Sequence, residues 1–199
     1  MSAAAPVRDR LLDAAASITC DSGWADVTMA KVAGLAGVSR QTVYNEHGSK
    51  QALGQAMVLR ELERFLQVVA RELDTNDDLV EAIRATTEQV LRMARDNPLL
   101  HAVLASAHSV SAGTRPGSDN DLLPFLTTDA EPLLGAAKSV IAERIPGRFP
   151  DIDLPPARLD ATIDAIVRLV LSHVVQPSGD AARTADDLAW IVGRVARRG

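Results

Sequence analysis

The side chains with most to offer a chemical partner crowd into one short run. Arg40, Gln41, Thr42, Tyr44 and Asn45 place five hydrogen-bonding groups within six positions. On a helix with Val43 turned inward, they make an exposed face of the residue types that meet base edges and phosphate oxygens. Catalysis has no comparable set. There is no nucleophile motif, phosphate-binding glycine loop, His-x-x-x-His pair or carboxylate dyad at usable spacing, and four histidines and one cysteine leave little to build with. His101 and His108 share a helix face and invite a metal. No Cys or carboxylate stands at a companion spacing, so they read as pocket or solvent polarity. Neither a metal, a cofactor nor an enzyme is expected.

The elements that would position the run are legible around it. Met29, Val32, Ala33 and Ala36 form the apolar face of a short helix. Ala33 is small where two crossing helices must touch, and Gly37 supplies the positive φ of a tight turn. Val38 and Val43 plug the corner, and Ser39 is a natural N-cap for the helix that carries Arg40 to Asn45. Small, glycine, apolar and cap residues fall where a helix-turn-helix needs them. The plainer alternative is a helical hairpin with a polar surface.

Residues 28–50 resemble the TetR family of bacterial repressors, whose N-terminal signature runs from a Thr through Ala-Gly-Val-Ser to a Tyr, an aromatic and a Lys-x-x-Leu. It stands here as Val27-Thr28, Ala36-Gly37-Val38-Ser39, Thr42-Val43-Tyr44 and Lys50-Gln51-Ala52-Leu53, after a Gly-Trp-Ala-Asp link from Gly23 to Asp26. The resemblance implies that Thr28 caps the second helix and touches phosphate. It implies that Tyr44 and Lys50 clamp the DNA backbone, leaving Arg40, Gln41, Thr42 and Asn45 for bases or neighbouring phosphates. Two residues depart from the family pattern. His47 stands where Phe is usual and is expected to pack beneath the recognition helix with a hydrogen bond. Gly34, inside the second helix, should cost about 1 kcal/mol relative to Ala.

Helical periodicity continues along the chain, with no sustained strand alternation. The expectation is an all-α protein: a three-helix helix-turn-helix domain over residues 1–50, then an α-helical ligand-binding and dimerisation domain over 51–199. Beyond the motif, helices are expected from Val7 to Ser22, from Ser49 to about Leu73, around Leu79 to Ala94, and from an Asn97-Pro98 start. An irregular helix over 122–145 should break near Pro124 or Pro132. Residues 111–121 and the proline-rich 146–156 read as connections, and the last helices as 156–175 and 182–197, the final one opened by a Thr184–Asp187 capping box.

Net charge is −5, yet residues 1–60 hold six Lys/Arg against five Asp/Glu. A near-neutral head on an acidic body means that DNA contact rests on a few placed cations. No apolar stretch reaches the ~18 residues a membrane span needs, no signal-peptide core opens the chain, and one cysteine excludes an intrachain disulfide. The expected location is cytoplasmic, with Cys20 a small core residue.

For residues 51–199 the resemblance implies an effector cavity among the middle helices and dimerisation through the last two. Candidate cavity residues are Leu62, Phe65, Leu66, Met93, Leu100, His101, Leu104, His108, Phe125 and Leu126. Aromatics are 3% of the chain, too few to stack a flat drug, so an apolar, fatty-acid-like effector is expected; the alternative is a polar drug-like molecule or a metal. The dimer has separate support. Ile163, Ile166, Val167, Leu169, Val170, Leu171, Val174 and Val175 place apolar groups nearly all around one helix, which must then be buried all around. With Leu188, Trp190, Ile191, Val192 and Val195 on the next, residues 156–198 would pair as a four-helix bundle. The expectation is therefore a ligand-responsive repressor, homodimeric on double-stranded palindromic operator DNA. A constitutive DNA-binding protein would have no use for so large an acidic body.

Overall fold

A computed structural model describes residues 5–101, 131–152, 154–177 and 179–196. Among them the regular structure is helical. The elements are α1 (Val7–Ser22), a 3₁₀ turn (Trp24–Asp26), α2 (Met29–Ala36), α3 (Arg40–His47), α4 (Lys50–Thr75), α5 (Leu79–Arg95), α6 (Glu131–Arg148), α7 (Pro156–Val175) and α8 (Ala181–Ala196). A further helix opens at Pro98, where Asn97 Oδ1 accepts from the Leu100 N–H at 2.9 Å, as the Asn-Pro pair predicts. No helix among the described residues is long and apolar enough to cross a membrane.

Contacts divide the described residues into two units, 5–61 with 97–101 and 62–96 with 131–196; α4 contributes to both. In the first unit, α1 buries Leu11, Leu12, Ala14, Ala15 and Thr19 against Trp24, Val32, Val43, Leu53 and Met57. Each fully buried Leu or Val here contributes roughly 1.5–3 kcal/mol. Thr19 lies in this core without cost because its hydroxyl donates to the Ala15 carbonyl at 2.7 Å. Arg60 ties α4 to α1 through Asp13 Oδ1 at 2.8 Å and the Asp9 carbonyl at 3.3 Å. On the next residue, Glu61 accepts from Asn97 Nδ2 at 2.5 Å, while Leu99 joins the same core.

In the second unit α5 packs most extensively on α8. Gly193 permits the approach: a Cβ there would stand 3.2 Å from Val80 Cγ2. Val68, Val69, Leu73, Ile141, Ile145, Phe149 and Ile163 join α4, α6 and α7 in one core. Asp78 caps α5 by accepting from the Glu81 N–H at 2.9 Å. Outside the core, Arg144 pairs with Asp74 at 3.2 Å and Arg148 pairs with Asp77.

Three expectations are corrected. α6 does not stop at 145 but runs through Pro146 to Arg148; so near the helix end, the missing N–H forfeits a single backbone bond. Thr184 does not open the last helix. It is buried one turn inside α8, its Oγ1 donating back to the Asp180 carbonyl at 3.1 Å and its N–H to the same oxygen at 3.0 Å. Cys20 is exposed rather than core, because Thr19 takes the inward position and the next residue turns outward. Partial desolvation, with Asp21 and Glu61 nearby, holds its thiol above the usual range. Pro132 is the second residue of α6 and interrupts nothing there, while Pro124 and the loop at 111–121 lie outside the described residues.

Candidate nucleic-acid interface

The corner between α2 and α3 is built from local instructions. Thr28 caps α2 by accepting from the Lys31 N–H at 3.2 Å. Gly37 ends the helix in the left-handed region at φ 67°, closing it with bonds back to Ala33 and Gly34. Ser39 then caps α3, accepting from the Thr42 N–H at 3.1 Å. A cap of this kind contributes about 1 kcal/mol. Val43 has no exposed surface and His47 is buried one turn later, so these two fix which side of α3 faces inward. Val38 packs against the same core.

The opposite side of α3 presents Arg40, Gln41, Tyr44 and Asn45, all exposed. They form two parallel pairs one turn apart. Arg40 lies over the Tyr44 ring, 5.4 Å from its centre, and its Nη2 donates to the Tyr44 hydroxyl at 3.2 Å. Gln41 Nε2 donates to Asn45 Oδ1 at 2.9 Å. Thr42 is half-buried, its hydroxyl 2.8 Å from that of Ser39. Lys50, at the start of α4, is half-buried too; its Nζ donates to the Ala25 carbonyl at 3.2 Å and stands 5.1 Å from the centre of the Trp24 ring. Thr28, the four exposed α3 side chains, Thr42 and Lys50 thus all belong to the first unit. The part of Trp24 in holding Lys50 was not foreseen, although the Gly-Trp-Ala-Asp link pointed at the segment.

His47 does pack beneath α3, but its Nε2 is buried with no hydrogen-bond partner among the described residues. Burial first, then the Arg8 guanidinium, lower its pKa; Glu46 opposes them.

The described candidate effector residues are divided between the two units. Phe65 and Met93 pack against the core of the second unit, and Leu62 and Leu66 are half-buried. Leu100 is buried and His101 exposed, both in the first unit. Leu104, His108, Phe125 and Leu126 lie outside the described residues. The second unit also holds an apolar crevice of about 40 Å³ that sequence reasoning missed, lined by Leu79, Ile83, Ile141, Ile145, Ile163 and Ile166 among others. Aliphatic residues on helical faces look alike whether they close a core or leave space within it. On α7 and α8, Leu169, Trp190, Ile191 and Val195 leave apolar surface uncovered, with Arg194 5.1 Å from the Trp190 ring centre.

Comparison with known proteins agrees with this geometry. Residues 11–57 match the model of bacterial regulatory proteins of the tetR family, and residues 78–194 match that of the tetracyclin repressor C-terminal domain. The chain is 33% identical to the HTH-type transcriptional regulator AlkX of Mycobacterium tuberculosis, over 96% of this chain and 86% of that one. A crystal structure of the TetR family repressor AlkX from Dietzia sp., described as implicated in biodegradation of n-alkanes, superposes with a TM-score of 0.72 at 25% identity, covering 95% of this chain and 97% of that one. The multidrug binding protein EbrR superposes at 0.62 with 18% identity over 97% of this chain and 96% of its own, a likeness of fold. The chain belongs to the TetR family of bacterial transcriptional regulators.

Proposed function

We propose that this regulator is a repressor that binds palindromic operator DNA as a homodimer and is released by a small aliphatic effector. The observation that carries the DNA reading is the two-sided α3: Val43 and His47 lock one side into the core, and the other offers Arg40, Gln41, Tyr44 and Asn45 to a groove. In this reading Thr28, Tyr44 and Lys50 hold phosphates, while Arg40, Gln41, Thr42 and Asn45 meet bases or the phosphates beside them. Residues 1–50 serve as the DNA-binding domain and 51–199 as the effector and dimerisation domain. A second copy covers the apolar surface on α7 and α8, and the two recognition helices then enter half-sites about one helical turn, or a small multiple, apart.

The aliphatic effector is supported by the leucine, isoleucine and valine lining of the second unit, and by the implication of the Dietzia relative in n-alkane biodegradation. Phe65 and Met93, together with Leu62 and Leu66, are the described residues proposed to meet it. α4 begins at Lys50 and continues through Leu62 and Phe65, so an effector favouring one placement of α4 biases the DNA-binding head. Release requires the effector to bind the DNA-free conformation more tightly, by ~1–3 kcal/mol for ordinary coupling. The test titrates medium- and long-chain fatty acids and acyl-CoAs against the protein on its own upstream DNA, following melting temperature and gel shift. Stabilisation with release of DNA is expected. Release by a polar drug or a metal alone would overturn the aliphatic effector and leave the repressor.

A further inference from the structure

Resting on that DNA-binding reading, we propose that Gln41 and Asn45 act as one unit that reads a single adenine, so that each half-site carries an A·T pair at the position they share. The two side chains stand one turn apart on the exposed side of α3 and are joined by the bond from Gln41 Nε2 to Asn45 Oδ1, 2.9 Å long. The Ser39 cap and the buried Val43 fix the helix beneath them.

The joining bond decides what is left to offer. It uses one N–H of Gln41 and one lone pair of Asn45. Gln41 keeps Oε1 as an acceptor and a second Nε2 N–H, and Asn45 keeps both Nδ2 donors and one Oδ1 lone pair; Oε1 and Nδ2 are the two polar atoms that take no part in the joining bond. Adenine presents in the major groove an amino donor at N6 beside an acceptor at N7, the complement of that pair. Guanine presents two acceptors, so in the pose that matches adenine its O6 would face Gln41 Oε1. Cytosine offers a donor alone, and thymine an acceptor with a methyl group. The neighbouring side chains pair separately, Arg40 with Tyr44 and the Thr42 hydroxyl with Ser39, so neither interrupts the Gln41–Asn45 bond. Neither Gln41 nor Asn45 is charged, so the pair contributes to choice of sequence and little to general affinity for phosphates.

The experiment selects binding sites from a randomised duplex library with the wild-type chain, Gln41→Ala, Asn45→Ala and the double variant. Wild type is expected to prefer A·T at one half-site position by about tenfold to a hundredfold. Each single variant should lose that preference at the same position and keep the others. The double variant should be no worse than either, since either change breaks the unit. Replacing that adenine by 7-deazaadenine should weaken wild type and leave both variants unmoved. Relaxation at two different positions, relaxation at none, or a shared position that is not A·T overturns the inference while the DNA-binding reading stands. A wild-type chain that enriches no sequence overturns the DNA-binding reading, and the inference with it.

Discussion

Lys50, the first residue of α4, lies over the ring of Trp24, its Nζ 5.1 Å from the ring centre, and donates to the carbonyl of Ala25, the next residue, at 3.2 Å. The start of the long helix is thereby fastened to the link between α1 and α2. An ammonium carries three N–H groups, so this fastening and a phosphate contact are compatible. Lys50→Ala should weaken binding to operator and random duplex alike, reduce the salt slope by about 1, and lower the stability of the head by roughly 0.5–1 kcal/mol. Binding titrations at several salt concentrations check the first two effects, thermal melts the third. A loss confined to operator DNA would remove Lys50 from the phosphates.

Gly34 sits in mid-α2 at an exposed position, with ordinary negative φ and open space where a Cβ would go. Among the described residues nothing requires glycine there. Gly34→Ala should stabilise the protein by about 0.5–1 kcal/mol, because the unfolded chain loses freedom and the helix gains a better former. Denaturant unfolding measures the change directly. A destabilised variant would mean that α2 is packed more closely than its exposure indicates.

The corner was legible in the sequence because each of its residues acts locally. Gly37 takes positive φ, Ser39 and Thr28 cap, and Ala33 and Val43 fill. What the chain hid depends on a distant partner in one case and on competing local bonds in others. Lys50 finds Trp24 across a span of sequence that no periodicity reports, while Thr19, its hydroxyl satisfied by the Ala15 carbonyl, takes the inward position and Cys20 beside it is exposed. Thr184 followed by Asp187 has the spacing of a cap, yet Asp180 starts the turn first. Among the effector candidates, Phe65 and Met93 share a core while Leu100 and His101 belong to the other unit; apolar periodicity marks a buried face without naming what it is buried against.

His47 gives the head a pH dependence whose sign follows from its surroundings. Burial and the Arg8 guanidinium of α1 disfavour the imidazolium, Glu46 opposes them, and the folded-state pKa lies below the ordinary 6.5. The unfolded chain therefore binds this proton more readily. The stability contributed by the neutral imidazole is complete above the unfolded value and is lost as pH falls below it. Melting temperature should drop between about pH 7.5 and 5.5 by more in wild type than in His47→Phe, which cannot titrate. Parallel decline in the two proteins would place the titration elsewhere.

α8 has two unlike sides. Leu188, Ala189 and Val192 are buried within the chain, whereas Trp190 is 62% exposed, with Ile191 and Val195 beside it and Leu169 exposed on α7. A large indole left in solvent is the kind of residue that dominates interfaces. Val170, by contrast, packs against the core of the second unit and against a further buried cluster of Ile83, Ile166, Leu188 and Val192, so an aspartate there buries a charge inside one chain. The two substitutions should therefore fail differently. Ile191→Asp should keep its helical content, sediment as a monomer at micromolar concentration and lose the palindromic site, since a lone head reaches one half-site. Val170→Asp should lower the melting temperature sharply whatever its association. Sedimentation and circular dichroism on both variants separate these outcomes. A wild-type chain that sediments as a monomer would overturn the homodimer, and an Ile191→Asp chain that stays dimeric would move the contact away from α8.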